Sequence, residues 1–565
     1  VKHLFILVRG AVLAIMLAGT SLRAAVDSPR VASDRWPSLY TIEDFAGDVI
    51  RLEGAKTDEE KVLALYKWNH RVMRFGYAYL EGPSPAEIVR STTLETAEQW
   101  KYGVIDPVKL LNVYGEGWCD TRSRLFHALC TGAGLKSETV SVFDPKVRVW
   151  YRDNDGQERW HFFDPFRSWY VYTRDRSRIA SYEDIVAEPA LLTSPSKTSI
   201  PYSDDPVSNR TMMFMDDGTI YPMRSHSSFK YLPRDYHSMD ISLRKGAQLR
   251  LNWKPEGKYY DIYEYFDSRL KCTNGPHSHI WGQPGTEHTT FTATGETVTD
   301  PESWPWVKNY YLPCGNTNCL FHNRPVKWYG NGHLTYEPDL GRLENFRDGL
   351  YSWGSFRNIV AGGSKAGEPR IRPDRPGEEA WLTFRIDTPY VIADAAIEAR
   401  FLRADPSDVC TMEISADKGD TWREVWKSTQ AGAETVAVNI GRQPWTNNQI
   451  SAVGQYSYLV RIAMKASNPA RTGLDRLKIT NDLHLNMFTL PMLQPGRNRM
   501  RFSAAGREPG DRMRATFCWD DLAGKEQKDV REFSGLKDRW TIRTHAQAPD
   551  DITMRYLLLE NPGGR

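Results

Sequence analysis

The sequence predicts a multidomain chain, α+β at the front and β-rich behind, with a β-sandwich in the rear part. Three observations predict it. The 565 residues exceed what one core normally organises, so three or four domains are expected. Leu125, Phe126, Leu129, Cys130 and Ala133 recur at three-to-four-residue spacing, which is the buried stripe of an amphipathic helix over 122–133. From about residue 341 the pattern changes to short alternating runs at 380–386, 395–402, 409–415, 436–440 and 456–463, the period of half-buried strands in a sandwich.

Taken in order, Lys2 and Arg9 precede an apolar run at 11–18, and Ser21-Leu22-Arg23-Ala24-Ala25 supplies small residues suited to cleavage. Residues 1–25 therefore read as a secretory signal, and the apolar run at 11–18 falls short of the about 20 apolar residues that a membrane span needs. The mature protein is expected to be secreted or periplasmic, with no membrane contact once the signal is removed.

The front region, 26–192, is organised around Cys119. It stands at a glycine-to-helix junction, Gly115-Glu116-Gly117-Trp118-Cys119-Asp120. A thiol in the first turn of a helix meets unpaired N–H groups and the positive end of the dipole, which favour the thiolate. The alternative is a small buried apolar residue, the common state of a free cysteine. Downstream, 147–151 alternates, Asn154-Asp155-Gly156 is a turn signal, and 159–163 resumes as a second strand ending at Asp164-Pro165, so a hairpin follows the helix.

These pieces resemble the transglutaminase-like superfamily in the form found in large secreted bacterial proteins. The resemblance covers roughly 57–192. Residues 58–75 look like the first helix of that family, 106–118 like the approach to the nucleophile, and Trp160-His161-Phe162-Phe163-Asp164-Pro165 like the strand that ends in its aspartate. The resemblance implies a papain-like α+β fold with Cys119 as nucleophile and Asp164 as the carboxylate that orients the base.

The histidine departs from that pattern. The nearest matching position holds Asp144, and no histidine occurs between His127 and His161. His161 is the substitute base, or else a half-buried strand residue, because positions i and i+3 of a regular strand point to opposite faces. His70 and His237 are the other imidazoles that folding can bring in. With a base, the site performs acyl transfer through a thioester, with the Cys119 N–H at the oxyanion. Asn112, Tyr114 and Trp118 are the expected cleft residues. Without a base, the domain binds and does not turn over.

Composition narrows the partners. The 73 basic and 71 acidic residues leave a net charge of +2, which excludes a bias toward polyanions, and nucleic acid is not an expected partner. The 19 Trp and 27 Tyr either fill sandwich cores or stack on sugars at an exposed face. Seven cysteines leave at least one unpaired, and Cys119 is the natural odd one. Cys314 and Cys319 flank a turn-like stretch that a disulfide would close. Cys272, His277, His279 and His322 lie nearby, but without tight ligand spacing, so no metal and no cofactor is assigned.

After residue 192 a Ser/Thr/Pro-rich linker at 193–205 opens an irregular β-rich region running to 340, with a strand-like run at 248–253. The sandwich is placed at 341–490. Within it Ser415-Ala416-Asp417-Lys418-Gly419-Asp420-Thr421-Trp422 matches the Asp-box pattern of sialidase-like and related β proteins, a turn geometry in which Asp417 accepts backbone N–H bonds. Residues 491–565 complete this sandwich or form a small terminal one.

The expected function is thiol-dependent acyl transfer or amide hydrolysis on a protein or peptide substrate, with Cys119, His161 and Asp164 in the catalytic roles. The alternative is a non-catalytic surface or polysaccharide-binding protein with a relic front domain. A third reading places a polysaccharide-acting cleft between the front domain and 205–336, using His237, Tyr259, Tyr260 and Tyr263.

Overall fold

A computed structural model describes residues 25–75, 106–117, 119–198, 210–225, 236–253, 329–352, 354–362, 367–441, 450–507 and 512–562. Residues 1–24 of the expected signal segment, Trp118, Tyr259, Tyr260, Tyr263 and the Cys272–His322 group lie outside these residues, whereas Ala25, assigned to the end of the signal, is buried in a strand that pairs with Ser242–Arg244. Among the described residues no helix is long and apolar enough to cross a membrane.

Three helices build the front unit. Thr41 caps the helix Ile42–Glu53, which buries Ile42, Phe45, Ala46 and Val49 along one face. Thr57 and Glu60 form a reciprocal capping box at the start of Asp58–Val72. The third helix, Cys119–Gly132, buries Leu125, Phe126, Leu129 and Cys130, the stripe expected from spacing. These helices lie against a four-stranded sheet whose order is Glu158–Phe163, Asp144–Arg152, Lys136–Val142, Arg224–Ser225.

Alternation along the hairpin divides the side chains between two cores. Val147, Val149, Tyr151 and Phe163 join the core that contains the helices, whereas Val140, Val142 and Phe162 pack with Trp169, Ile185 and Leu191 on the other side. Tyr66, Phe126 and Phe163 meet pairwise with ring centroids 5.3 to 5.6 Å apart, locking two helices to the sheet.

Behind this unit, a five-stranded and a ten-stranded antiparallel sheet enclose a second part of the core. The alternating runs become strands Glu379–Asp387, Val391–Arg403, Val409–Ser415, Gly432–Asn439 and Ser457–Lys465. Between Val409–Ser415 and Arg423–Lys427 lies the Asp-box turn, where Asp417 Oδ1 accepts the Thr421 N–H at 2.9 Å and Trp422 Nε1 donates to the Gly419 carbonyl at 2.9 Å. Asp417 thus holds a turn together.

The sequence-based boundaries at 340 and 490 do not separate sheets. The ten-stranded sheet takes Ala247–Asn252 and Tyr329–Tyr336 from before residue 340, Gly473–Asn486 from the middle, and Met513–Asp520 and Thr553–Asn561 from the terminal part. Ala247–Asn252 pairs with Thr553–Asn561 across some 300 residues, and such a pairing leaves no local trace. Gly496–Ser503 and Lys537–Thr544 instead form a separate three-stranded sheet with Arg30–Ser33 from the front of the chain.

The front unit is fastened to the sandwich next to Cys119. Asn486, at the end of its strand, donates to the carbonyls of Val72 at 2.9 Å and Leu111 at 2.6 Å. Gly115 sits at φ +63°, and a Cβ there would lie 2.4 Å from Asn486 Cγ, so this approach is open to glycine alone.

Candidate active site around Cys119

The approach to Cys119 is set by backbone pairing. Arg74–Phe75 runs parallel to Glu116–Gly117, two residues before the cysteine. A Cβ on Gly117 would lie 2.0 Å from Thr121 Oγ1, so the chain is pressed onto the first turn of the helix. Cys119 is a free thiol, partly buried at the helix start.

Lys146, not an imidazole, is the basic residue paired with Asp164. Its side chain is 1% exposed, and its Nζ lies 2.9 Å from Asp164 Oδ2 and also against Asp144. Asp164 is fully buried. Its Oδ1 accepts the N–H groups of Phe166 at 3.0 Å and Arg167 at 2.8 Å, and its carbonyl accepts the Tyr66 hydroxyl at 2.9 Å. The Arg167 guanidinium pairs with Asp144 and stands 3.7 Å from Asp164 Oδ2. Two cations and two carboxylates therefore neutralise one another inside the protein, the condition under which buried charges persist.

This cluster acts on the thiol. Burial pushes the Cys119 pKa up to about 11, the nearby Lys146 charge pulls against it, and Asp120 adds to the rise. The helix start was expected to lower it; loss of water outweighs that effect. Burial in turn brings Lys146 down to about 8, opposed by Asp164 and by Cys119 and assisted by Arg167. At pH 7 a thiol with a pKa of about 11 is ionised in about one molecule in ten thousand.

The structure does not bring His161 to Cys119 and Asp164. Its Nε2 lies 2.8 Å from Asp153 Oδ1, its Nδ1 lies 3.3 Å from the Val149 carbonyl, and its ring stacks on Tyr151 with centroids 3.6 Å apart. The expected base role of His161 does not fit that geometry, because the ring points along its own hairpin to a carboxylate eight residues back. Burial lowers its pKa, with Asp153 resisting. His70 contacts Arg122 and lies 3.3 Å from Ser168 Oγ; burial and then the Arg122 charge hold it well below its ordinary value. The His237 ring Nε2 is 2.8 Å from the Pro389 carbonyl, and the backbone N–H of His237 donates to Asp106 Oδ2 at 2.6 Å.

Of the expected cleft residues, Asn112 and Tyr114 have structural partners, and Trp118 lies outside the described residues. Asn112 is fully buried and donates to the carbonyls of Leu39 at 2.8 Å and Val108 at 3.1 Å. Tyr114 is 5.7 Å from the His484 ring and 3.4 Å, hydroxyl to hydroxyl, from Tyr456. Sequence held no signal for Lys146: the alternation of the strand puts it with Asp144, Arg148 and Arg152 on the face opposite Val147 and Val149. Among the described residues no group of three His, Cys, Asp or Glu is placed to hold a metal.

No family model matches the chain, and no curated protein matches it. Solved structures similar to parts of it include a xylan-binding module, CBM15, at 15% identity, covering 26% of this chain and 95% of that one, with a TM-score of 0.16. TmCBM61 in complex with β-1,4-galactotriose is similar at 10% identity over 25% of this chain and 93% of that chain, with a TM-score of 0.14. Bacteroides uniformis β-glucuronidase 2 is similar at 12% identity over 31% and 22%, with a TM-score of 0.13. At such scores these likenesses carry no argument about function.

Proposed function

We propose that this chain is a non-catalytic, polysaccharide-binding surface protein, with a front domain that keeps a transglutaminase-like frame and does not turn over. The observation that carries the non-catalytic half is the neighbour of Cys119: a buried lysine paired with Asp164, where thiol chemistry calls for an imidazole. Loss of general-base help is worth about a hundredfold or more in rate.

The binding half is supported by the five-stranded sheet. Ala380, Leu382 and Phe384 enter the core, so Trp381 and Arg385 belong to the outer face, with Thr383 between them covered. On that face Trp381 is half-buried in register with Ala463, and Arg461 lies 4.1 Å over the Trp422 ring while pairing with Glu413 at 2.6 Å. Rings beside fixed polar groups suit the apolar faces and hydroxyls of sugars. The test is retention of the full chain on insoluble polysaccharides of different composition. Selective retention by one or more supports the reading; uniform failure to bind overturns it.

One observation favours a second reading. Asp164, Lys146 and Cys119 retain the order carboxylate, proton carrier, thiol, and Lys146 titrates near 8. In this reading neutral Lys146 takes the thiol proton, Cys119 attacks a glutamine side-chain carbonyl, the C–N bond breaks with the proton returned to departing ammonia, and a primary amine then displaces the thiol from the thioester. Incorporation of a primary amine into a glutamine-containing peptide, abolished by Cys119→Ala, would replace the first reading with the second.

A further inference from the structure

We infer that the cavity between the N-terminal ribbon and the end of the sandwich is a binding site for a short neutral saccharide. The inference rests on the polysaccharide-binding reading and names a site for it away from Cys119. The cavity has a volume of about 480 Å³, within the usual range for small-ligand sites. Its walls are the ribbon formed by Ala25–Asp27 and Ser242–Arg244, residues 347–352 with Phe356, and the end of the strand Glu379–Asp387.

The lining combines rings with fixed hydrogen-bonding groups. Tyr351 is 38% exposed and Phe356 is half-buried. The Tyr351 backbone is pinned by its N–H, which donates to the Thr383 carbonyl at 2.9 Å. Asp27 accepts the Ser242 hydroxyl at 2.6 Å, and Asp387 accepts Arg385 Nε at 2.7 Å and Arg244 Nη2 at 3.3 Å. Asp27 is held by one partner and Asp387 by one on each oxygen, and a carboxylate oxygen with one partner keeps a lone pair for a sugar hydroxyl. At the rim Ser28 adopts φ +48°, a left-handed conformation that is strained for a non-glycine residue and clusters at ligand sites.

Charge selects the ligand class. Three arginines, Arg244, Arg347 and Arg385, face four aspartates, Asp27, Asp240, Asp348 and Asp387. An anionic ligand would meet the carboxylates and a cationic one the guanidinium groups. A neutral polyhydroxylated ring uses both as partners and stacks its C–H face on Tyr351.

The experiment measures binding of neutral xylo-, cello-, manno- and galacto-oligosaccharides to the full chain by calorimetry, alongside glucuronate-containing oligosaccharides. The expected result is binding of at least one neutral series, weakened tenfold or more by Tyr351→Ala and by Ser242→Trp, which fills the cavity from an exposed position. Circular dichroism of both variants should match the parent. Polysaccharide retention that neither variant alters would overturn this site and leave the polysaccharide reading standing. Absence of any saccharide binding would overturn both, and stronger binding of the acidic series would overturn the neutral class.

Discussion

Lys146 Nζ lies 2.9 Å from Asp164 Oδ2 in a part of the protein where neither side chain is more than 1% exposed. A carboxylate that the sequence assigns to an imidazole is committed to a lysine. The properties of the site follow from that pairing.

Removing one partner should be costly. Asp164→Ala leaves Lys146 and Arg167 with Asp144 as the remaining carboxylate and deprives two backbone N–H groups of their acceptor. The expected loss is about 3–5 kcal/mol in urea unfolding, with partial recovery in the double variant Asp164→Asn, Lys146→Met, which removes both charges. A loss below about 1 kcal/mol would mean that the pair is not buried as described.

Stability should depend on pH above neutrality, with two opposing contributions. The folded Lys146 titrates near 8 against 10.5 for the ordinary value, so between these the unfolded chain binds more protons and stability rises with pH. The folded Cys119 titrates near 11 against 9.0, so the folded chain binds more protons there and stability falls as pH rises above 9.0. Cys119→Ala should therefore unmask a continued rise between about pH 9 and 10.5, measured as unfolding free energy, where the parent is nearly flat. Parallel curves for the two proteins would contradict the assignment.

Lys146→His offers the thiol an imidazole, with Asp164 still at hand. Alkylation of Cys119 at pH 7.5 is expected to accelerate at least about tenfold. His161→Gln, in contrast, should leave that rate within about twofold, because the ring is engaged with Asp153 and Tyr151. An effect of His161→Gln as large as that of Lys146→His would return His161 to the site.

Gly115→Ala tests the joint between front unit and sandwich. The new Cβ meets Asn486 at 2.4 Å and a backbone φ of +63°. A loss of at least about 2 kcal/mol is expected from strain and displacement together. A substitution tolerated without loss would show that Asn486 does not approach there.

Much of the frame was legible in the sequence because its signals are local. The stripe from Leu125 to Cys130 announces a helix, and Asn154-Asp155-Gly156 between alternating runs announces the hairpin that places Asp164. The strand pairings that join residues 247–252 to 553–561 and 30–33 to 496–503 were not legible, since non-local register leaves no periodicity in either segment. Lys146 was missed for a different reason. A charged residue in a strand reads as solvent-facing, and only the fold shows that Asp144 and Asp164 neutralise it in the interior.

The central claim is that the Cys119 thiol stays protonated beside Lys146. The most direct measurement is the rate of iodoacetamide labelling of Cys119 as a function of pH, read by peptide mapping of the native full chain. Slow labelling at pH 7, rising only above about pH 9, is the result expected from a thiol held near 11. Rapid labelling at neutral pH with an apparent pKa below about 7 would contradict it, and would mark Cys119 as an activated nucleophile.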